Sequence, residues 1–459
     1  MRNIENKPSF RLLRHGWWII GVAVIVGACR DQDPGPSGNA VTADVRDSVY
    51  YWSKEVYLWA PRLPDRASFN PLGYASPEDV IEKVRTYSPL GAGGQPNDRF
   101  SFVLPKTDWD NIEAGTESDL GVGFKYASAT DLRVAYVYAQ SSAGKQGVAR
   151  GWRVLRVNGT EANVGNQAVV NRALAQTDVT ISFEKSDGTQ QTLALRTDAY
   201  QTNPVLSRKV LAVGSQKVGY VAFNTFLGNT AVEELQAAFN DFKSEAITDL
   251  VVDLRYNGGG STTIMEGFAN LLMPANAVGK VMYTMQWNER YAQRLNRTIP
   301  FAGVPSGLNL SRVVFITTRR TASASELLIN SLRPYVNVKL IGETTVGKPV
   351  GFPVIPIRMS ASDPSQNYVV APVAFQNVNA DNFGDYFDGI AVDKTVADDL
   401  TRDFGDASEA CLSAALQYLD TGNLRLGAGR SSPPLPEPAV REANRQLDHG
   451  RQGLYYPMH

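Results

Sequence analysis

The spacing of apolar residues changes character along this chain, and the change limits the fold more than any single motif does. Between about 116 and 200 apolar and polar residues alternate, with turn signals close together, as in Leu132-Arg133-Val134-Ala135-Tyr136-Val137 and Val179-Thr180-Ile181-Ser182-Phe183. A period of two buries one face of a strand, so this stretch predicts a small β-rich domain. From about 201 to 425 the apolar runs become continuous, as in Leu250-Val251-Val252-Asp253-Leu254 and Arg312-Val313-Val314-Phe315-Ile316-Thr317. Between the runs lie stretches of helical period, such as Val232, Leu235, Phe239 and Phe242. Strands buried on both faces and alternating with helices predict an α/β core.

Ahead of these, residues 43–115 carry Val49-Tyr50-Tyr51-Trp52 and then Ser76-Pro77-Glu78-Asp79. A serine N-cap followed by two acids is a helix start, so this part reads as a small helical domain with its aromatics in the core. The expected architecture is therefore α/β and multidomain (α+β), with the β-rich unit inserted between the helical unit and the core. Residues 426–459, opening on Arg430-Ser431-Ser432-Pro433-Pro434, have little to bury and are expected to form a disordered tail.

Composition removes several functions. The 459 residues carry 45 Lys+Arg against 46 Asp+Glu, a formal net charge of -1. There is no global basic field for nucleic acid. The three histidines, His15, His449 and His459, all lie near the termini. A Ser-His-Asp triad or a histidine zinc site needs imidazole inside the folded body, so another base must serve any hydrolytic chemistry. Two cysteines, Cys29 and Cys411, are too few for a disulfide framework or a thiolate cluster. No metal and no cofactor is expected.

Basic residues Arg2, Lys7, Arg11 and Arg14 precede an uncharged run from Gly16 to Ala28. Such a run reaches only about 20 Å as a helix, short of the roughly 30 Å hydrocarbon core. It is expected to be a signal peptide, residues 1–28. Val26-Gly27-Ala28-Cys29 resembles the lipobox of bacterial lipoproteins, which implies cleavage before Cys29 and lipidation of its thiol. Residues 29–42 then form a tether, and the body is expected in the bacterial cell envelope, facing the periplasm or the exterior. A plain signal peptide with an incidental cysteine is the alternative.

Three segments carry possible chemistry. Asp253-Leu254-Arg255-Tyr256-Asn257-Gly258-Gly259-Gly260 runs from a buried strand into glycines whose N–H groups can face an oxygen. Thr321-Ala322-Ser323-Ala324-Ser325-Glu326 opens a helix directly after a strand, where Ser323 can project and the Ala324 N–H can meet an oxyanion. Ser323-x-x-Glu326 equally fits a capping box. Gly342-Glu343-Thr344-Thr345-Val346-Gly347-Lys348-Pro349 approaches a nucleotide-binding loop, but Pro349 stands where a hydroxyl must hold Mg²⁺, so no nucleotide is expected. Asp381, Asp385, Asp388 and Asp393 match no calcium loop and read as solvated surface.

Together these segments resemble the carboxyl-terminal processing (tail-specific) protease family of serine peptidases, over most of residues 100–400. The resemblance implies Ser323 as nucleophile and Lys348 as general base, with the oxyanion held by Ala324 and by Gly258 or Gly259. It also implies a crotonase-like core, and the late Gly-Ile-x-x-Asp element falls on Gly389-Ile390-Ala391-Val392-Asp393. A lysine base must be neutral, and the uncharged neighbours Gly347, Pro349 and Val350 suit a lowered pKa. One departure is Phe352, where many members carry a glutamine that orients the lysine. Thr344, Thr345 or Ser325 could replace it.

The β-rich stretch resembles a PDZ domain. Leu120-Gly121-Val122-Gly123-Phe124 is similar to the carboxylate-binding loop, and Gly151-Trp152-Arg153-Val154-Leu155-Arg156-Val157-Asn158-Gly159 to the late strand-turn signature, with Trp152 in place of the usual acid. The implied function is a lipid-anchored serine endopeptidase with a Ser-Lys dyad, acting on polypeptides recognised through free C-termini. The rivals are a peptide-binding envelope lipoprotein that has lost activity and a hydrolase of small esters.

Overall fold

The computed structural model describes residues 44–359, 363–424 and 435–449. Cys29, the signal-peptide reading and the whole tether lie outside the described residues.

Helix α1 (Val45–Val56) starts at Asp44, whose carboxylate accepts the Arg46 N–H, and α2 (Pro77–Arg85) starts at a full capping box between Ser76 and Asp79. Their shared core holds Tyr50, Tyr57, Phe69, Val80 and Val84. Thr116–Asp119 and Asp198–Gln201 pair antiparallel, so the chain enters and leaves the β-rich domain through one two-stranded ribbon.

That domain contains β1 (Val122–Ser128), β2 (Asp131–Val137), β3 (Arg153–Val157), α3 (Gln167–Leu174), β4 (Asp178–Glu184) and β5 (Gln190–Arg196). The sheet order is β1-β2-β3-β4-β5, which leaves β1 at an edge. The alternation read from the sequence is realised: Leu132 and Val134 on β2, and Val179, Ile181 and Phe183 on β4, point into one core.

The large domain is built on a six-stranded sheet. Strands β6 (Val205–Val213) and β7 (Gln216–Phe223) form an antiparallel hairpin, and β8 (Asp249–Asp253), β9 (Arg312–Thr317), β10 (Asn337–Gly342) and β11 (Lys394–Thr395) follow β7 in parallel order. Helices α4 (Ala231–Ser244), α5 (Thr262–Leu272) and α6 (Ala324–Leu332) share one core with Leu250, Val252, Val313 and Phe315. Helix α7 (Ala410–Thr421) packs the other face, with Val251, Val314 and Ile316. Successive residues of β8 and β9 thus enter opposite cores, which is why these strands read as unbroken apolar runs. Cys411 lies buried in α7 as a free thiol. Val232 departs from the expected helical face: Leu235, Phe239 and Phe242 of α4 are buried, while Val232 is 60% exposed.

The tail expected to be disordered needs a correction over part of its length. Residues Pro438–His449 form α8, which lays Val440, Ala443 and Leu447 against the β-rich domain. The spacing i, i+3, i+7 makes one apolar stripe, enough to order an otherwise polar segment once a complementary surface is available.

The β-rich and large domains are joined by buried charge. Asp398, 2% exposed, accepts Arg150 Nη2 at 2.8 Å, Arg255 Nη1 at 2.7 Å and Lys125 Nζ at 3.0 Å. Arg255 also meets Asp253 and Glu409. Burial alone would raise the Asp398 carboxyl, but the three cations hold it well below the usual carboxylate range.

Candidate active site

Parallel strands place their C-terminal ends on one side of a sheet, and three neighbouring strands deliver the three segments singled out in the sequence. The turn after β8, the turn after β9 and the loop after β10 lie side by side. Asn257, fully buried, joins the first two. Its carbonyl accepts the Ala322 N–H at 3.1 Å and Ser325 Oγ at 3.1 Å, and its Nδ2 donates to Phe223 O at 2.9 Å. Thr321 Oγ1 donates to Leu254 O at 2.8 Å, adding a second stitch.

This stitching holds Ser323 at φ 57°, a left-handed conformation that a non-glycine residue adopts only under constraint. Ser323 ends the turn and α6 begins at Ala324. Close approach explains Gly259 as well. At its φ of 105°, a Cβ there would stand 2.7 Å from Ser323 Cβ and 2.8 Å from Ala322 O.

Glu326 connects the serine turn to the lysine loop. Its Oε2 accepts the Ser323 N–H at 2.8 Å and the Lys348 N–H at 2.9 Å; its Oε1 accepts Thr345 Oγ1 at 2.5 Å and the Gly347 N–H at 2.7 Å. Burial pushes the Glu326 carboxyl up, opposed by the hydroxyl and the three backbone donors. The capping-box reading of Ser323-x-x-Glu326 therefore covers one of four bonds that this carboxylate makes. The late Gly-Ile element closes the loop from the other side, the Ile390 N–H donating to Thr345 Oγ1 at 2.7 Å. Arg99 adds a tie, with Nη2 2.9 Å from Phe387 O.

Lys348 is 5% exposed, and burial pushes its ammonium pKa down to about 8, against the pull of Asp98 and Glu326. Among the described residues nothing hydrogen-bonds or ion-pairs with its Nζ. Instead Nζ stands 4.4 Å from the centroid of the Phe352 ring and 5.2 Å from that of Phe100. Phe352 thus forms an apolar lid on the amine where an amide was expected. None of the hydroxyls considered as a replacement hydrogen-bonds to Nζ: Thr345 Oγ1 is committed to Glu326, and Ser325 Oγ to Asn257.

Ser323, Ala324 and Lys348 line one cleft of about 390 Å³, together with Gly260, Trp109 and Phe352. No hydrogen bond joins Ser323 to Lys348 within it. Of the glycines considered for the oxyanion, Gly259 gives its N–H to Asn257 Oδ1 at 2.9 Å, and neither Gly258 nor Gly259 lines the cleft. Gly260 does. Its N–H meets no acceptor among the described residues, because the bridge to Phe226 uses Gly259 O and the Ser261 N–H. The sequence placed the oxyanion donor on Gly258 or Gly259; the Gly259 N–H is taken by Asn257 Oδ1, and of the three glycines it is Gly260 that lines the cleft.

The loop Leu120–Phe124 lies away from this cleft, along a small cavity also lined by Tyr138, Tyr200, Arg320 and Leu447. The Gly121 N–H donates to Asp119 Oδ1 at 2.6 Å, so the first amide of the expected carboxylate loop is already bound. Glu117 and Asp119 line the same cavity, and burial, reinforced by Asp119, pushes the Glu117 carboxyl up to about 7.

Residues 217–377, which span β7 to the loop beyond Lys348, match the model of peptidase family S41. The match covers 161 of the 459 residues, about a third of the chain. The carboxyl-terminal-processing protease of Picosynechococcus sp. is 26% identical over 261 residues, covering 55% of this chain and 60% of that protein. The carboxy-terminal processing protease CtpB of Bacillus subtilis is 25% identical over 260 residues, covering 55% and 52%. The chain thus spans less than two thirds of the length of these relatives. In fold, the chain resembles a putative S41 protease from Bacteroides fragilis. The TM-score is 0.65 at 22% identity, over 82% of this chain and 97% of that one.

Proposed function

We propose that the protein is a serine endopeptidase in which Ser323 and Lys348 form the catalytic dyad. The observation that carries this reading is a buried lysine, its pKa lowered to about 8 and its Nζ without a partner among the described residues, in the same cleft as a serine locked in a left-handed turn. Lys348 Nζ in its neutral form takes the proton of Ser323 Oγ as the oxygen attacks the peptide carbonyl. The N–H groups of Ala324 and Gly260 receive the developing oxyanion, since both line the cleft and neither has an acceptor among the described residues. Lys348 then returns its proton to the leaving amine, and water releases the acyl group by the same route. Oγ and Nζ share no hydrogen bond in the absence of substrate, and catalytic contacts of this kind commonly tighten only when substrate binds.

The substrates are polypeptides, engaged through their C-terminal region by a PDZ-type domain at 116–200 ahead of a crotonase-type core. The chain is anchored through lipid on Cys29 in the bacterial envelope; the basic residues, apolar run and small residues before Cys29 support this. The second reading, a peptide-binding lipoprotein without activity, is favoured by Phe352 and by the separation of Ser323 from Lys348. Degradation of an unfolded protein such as casein separates the two. Cleavage by the parent that disappears in Ser323→Ala and in Lys348→Ala supports the dyad, whereas cleavage unaffected by either substitution removes it.

A further inference from the structure

Strand β1 is the edge of the β-rich sheet, the position at which an incoming peptide would add as a further strand. That edge is already engaged by α8. Asn444 Oδ1 accepts the Tyr126 N–H at 2.6 Å, and Asn444 Nδ2 donates to Tyr126 O at 2.9 Å, so one side-chain amide satisfies both outward backbone groups of that residue. On the opposite wall Gln167 Nε2, at the start of α3, donates to Ala443 O at 2.9 Å. Between the walls Val440, Ala443 and Leu447 are each under 5% exposed, in one core with Val122, Phe124 and Val170. Leu447 reaches the cavity beside the Gly121–Phe124 loop, where it stands with Glu117, Asp119 and Arg320.

We propose that α8 is a displaceable internal ligand of the groove between β1 and α3, and that a substrate segment enters this groove as an amphipathic helix once α8 leaves. The inference rests on the reading of 116–200 as a peptide-binding domain and makes its mode of recognition specific. The groove reads an apolar i, i+3, i+7 stripe with an amide beside it, in place of an extended strand ending in a carboxylate. Physical linkage sets the consequence: as long as α8 is docked, its local concentration competes with every ligand in solution, and weakening α8 raises apparent affinity for all of them.

The test uses the full chain carrying Ser323→Ala, so that nothing is cleaved, and a fluorescein-labelled peptide of residues 435–459 as probe. With Leu447→Asp added, anisotropy is expected to show at least tenfold tighter binding of the probe than in the parent. Equal affinity in the two proteins, or no binding by a Leu447→Asp protein whose thermal transition is intact, overturns the proposal. Asn444→Ala removes only the two bonds to Tyr126 and serves if Leu447→Asp fails to fold; a several-fold gain is expected there and no gain overturns the idea. Hydrogen exchange on the unaltered chain gives a second readout. Amides of α8 are expected to exchange at least tenfold faster than those of β1 and α3, and matching rates show that α8 leaves only on global unfolding. A stable dimer by light scattering that exchanges its tails between chains also overturns an internal ligand. Casein cleavage by the Ser323 parent is scored separately, so loss of the peptidase reading leaves the binding result standing, and the reverse holds.

Discussion

Ser323 and Lys348 donate their backbone N–H groups to the same oxygen, Glu326 Oε2, at 2.8 and 2.9 Å. The two residues are thereby referenced to one fixed point, although no bond joins their side chains. Glu326→Ala leaves three backbone donors and the Thr345 hydroxyl buried without their acceptor. The expected cost is about 3–5 kcal/mol of folding stability, by urea denaturation. Glu326→Gln keeps the volume and part of the acceptor capacity, and is expected to stay folded while losing at least tenfold in kcat. Full activity in a folded Glu326→Gln protein would show that the brace has no part in positioning.

With Lys348 as the proposed base, its titration sets the pH dependence. Its folded pKa of about 8 lies below the unfolded value, so the neutral base accumulates as pH rises through about 8, and kcat/KM should climb there to a plateau. The same shift has a stability consequence of opposite benefit. Below about 8 the folded state holds a charge that burial disfavours, at a cost on the order of 3 kcal/mol, and the cost is relieved as pH rises from about 8 toward the unfolded pKa. Lys348→Met should therefore be inactive, melt higher than the parent at pH 7 and converge with it above pH ~10. A rate profile flat between pH 6 and 9 would remove the lysine as base.

Phe352 acts on that amine in two ways. Its ring face attracts the ammonium, by about 1–2 kcal/mol at a dry site, while its bulk keeps water from Nζ. Dehydration is the larger effect on a lysine buried this deeply, so Phe352→Ala should move the midpoint of the rate profile to higher pH by roughly one unit. A midpoint that moves to lower pH would mean that the ring is chiefly an attractor of charge.

Asp398→Asn tests the ion cluster. Lys125, Arg150 and Arg255 would share one fewer negative charge in a buried site, with an expected loss of about 3–5 kcal/mol. Because the Asp398 carboxyl is held well below its unfolded pKa, its contribution is complete above about pH 4 and disappears as pH falls toward the folded value. The parent should lose stability steeply on acidification below pH ~4, and the variant much less steeply, by thermal melts across that range.

How much of this was legible beforehand depends on how far apart the interacting residues lie. The strands β8 and β9 announced themselves because burial on both faces leaves only apolar residues at their centres, 250–252 and 313–316. The serine turn was visible as a strand-to-helix corner, and the pairing of Ser323 with Lys348 came from family resemblance, since nothing in the 24 intervening residues says that two loops will meet. Glu326 was understood only as a cap because its local bond to Ser323 accounts for the carboxylate; its other three donors come from 345–348. Gly260 was passed over for Gly258 and Gly259, because only the folded turn shows which glycine faces the cleft and that Asn257 claims the Gly259 N–H. The stripe of α8 is present in the letters, but an amphipathic helix beside Pro433-Pro434 looks like a tail until the surface that receives it is known.

The shared carboxylate of Asp398 also decides what this protein can be divided into. Residues 116–200 enter and leave through one ribbon, which suggests a part that could be lifted out and attached elsewhere. Yet Lys125 and Arg150 belong to that part, and the anion they need belongs to the other. Cutting between them strands two cations on one fragment and opens a hole in the charge balance of the second. Evolution can lengthen the linkers of such a protein freely, but it can exchange its β-rich unit only together with the acid, some 250 residues downstream of Arg150, that neutralises it.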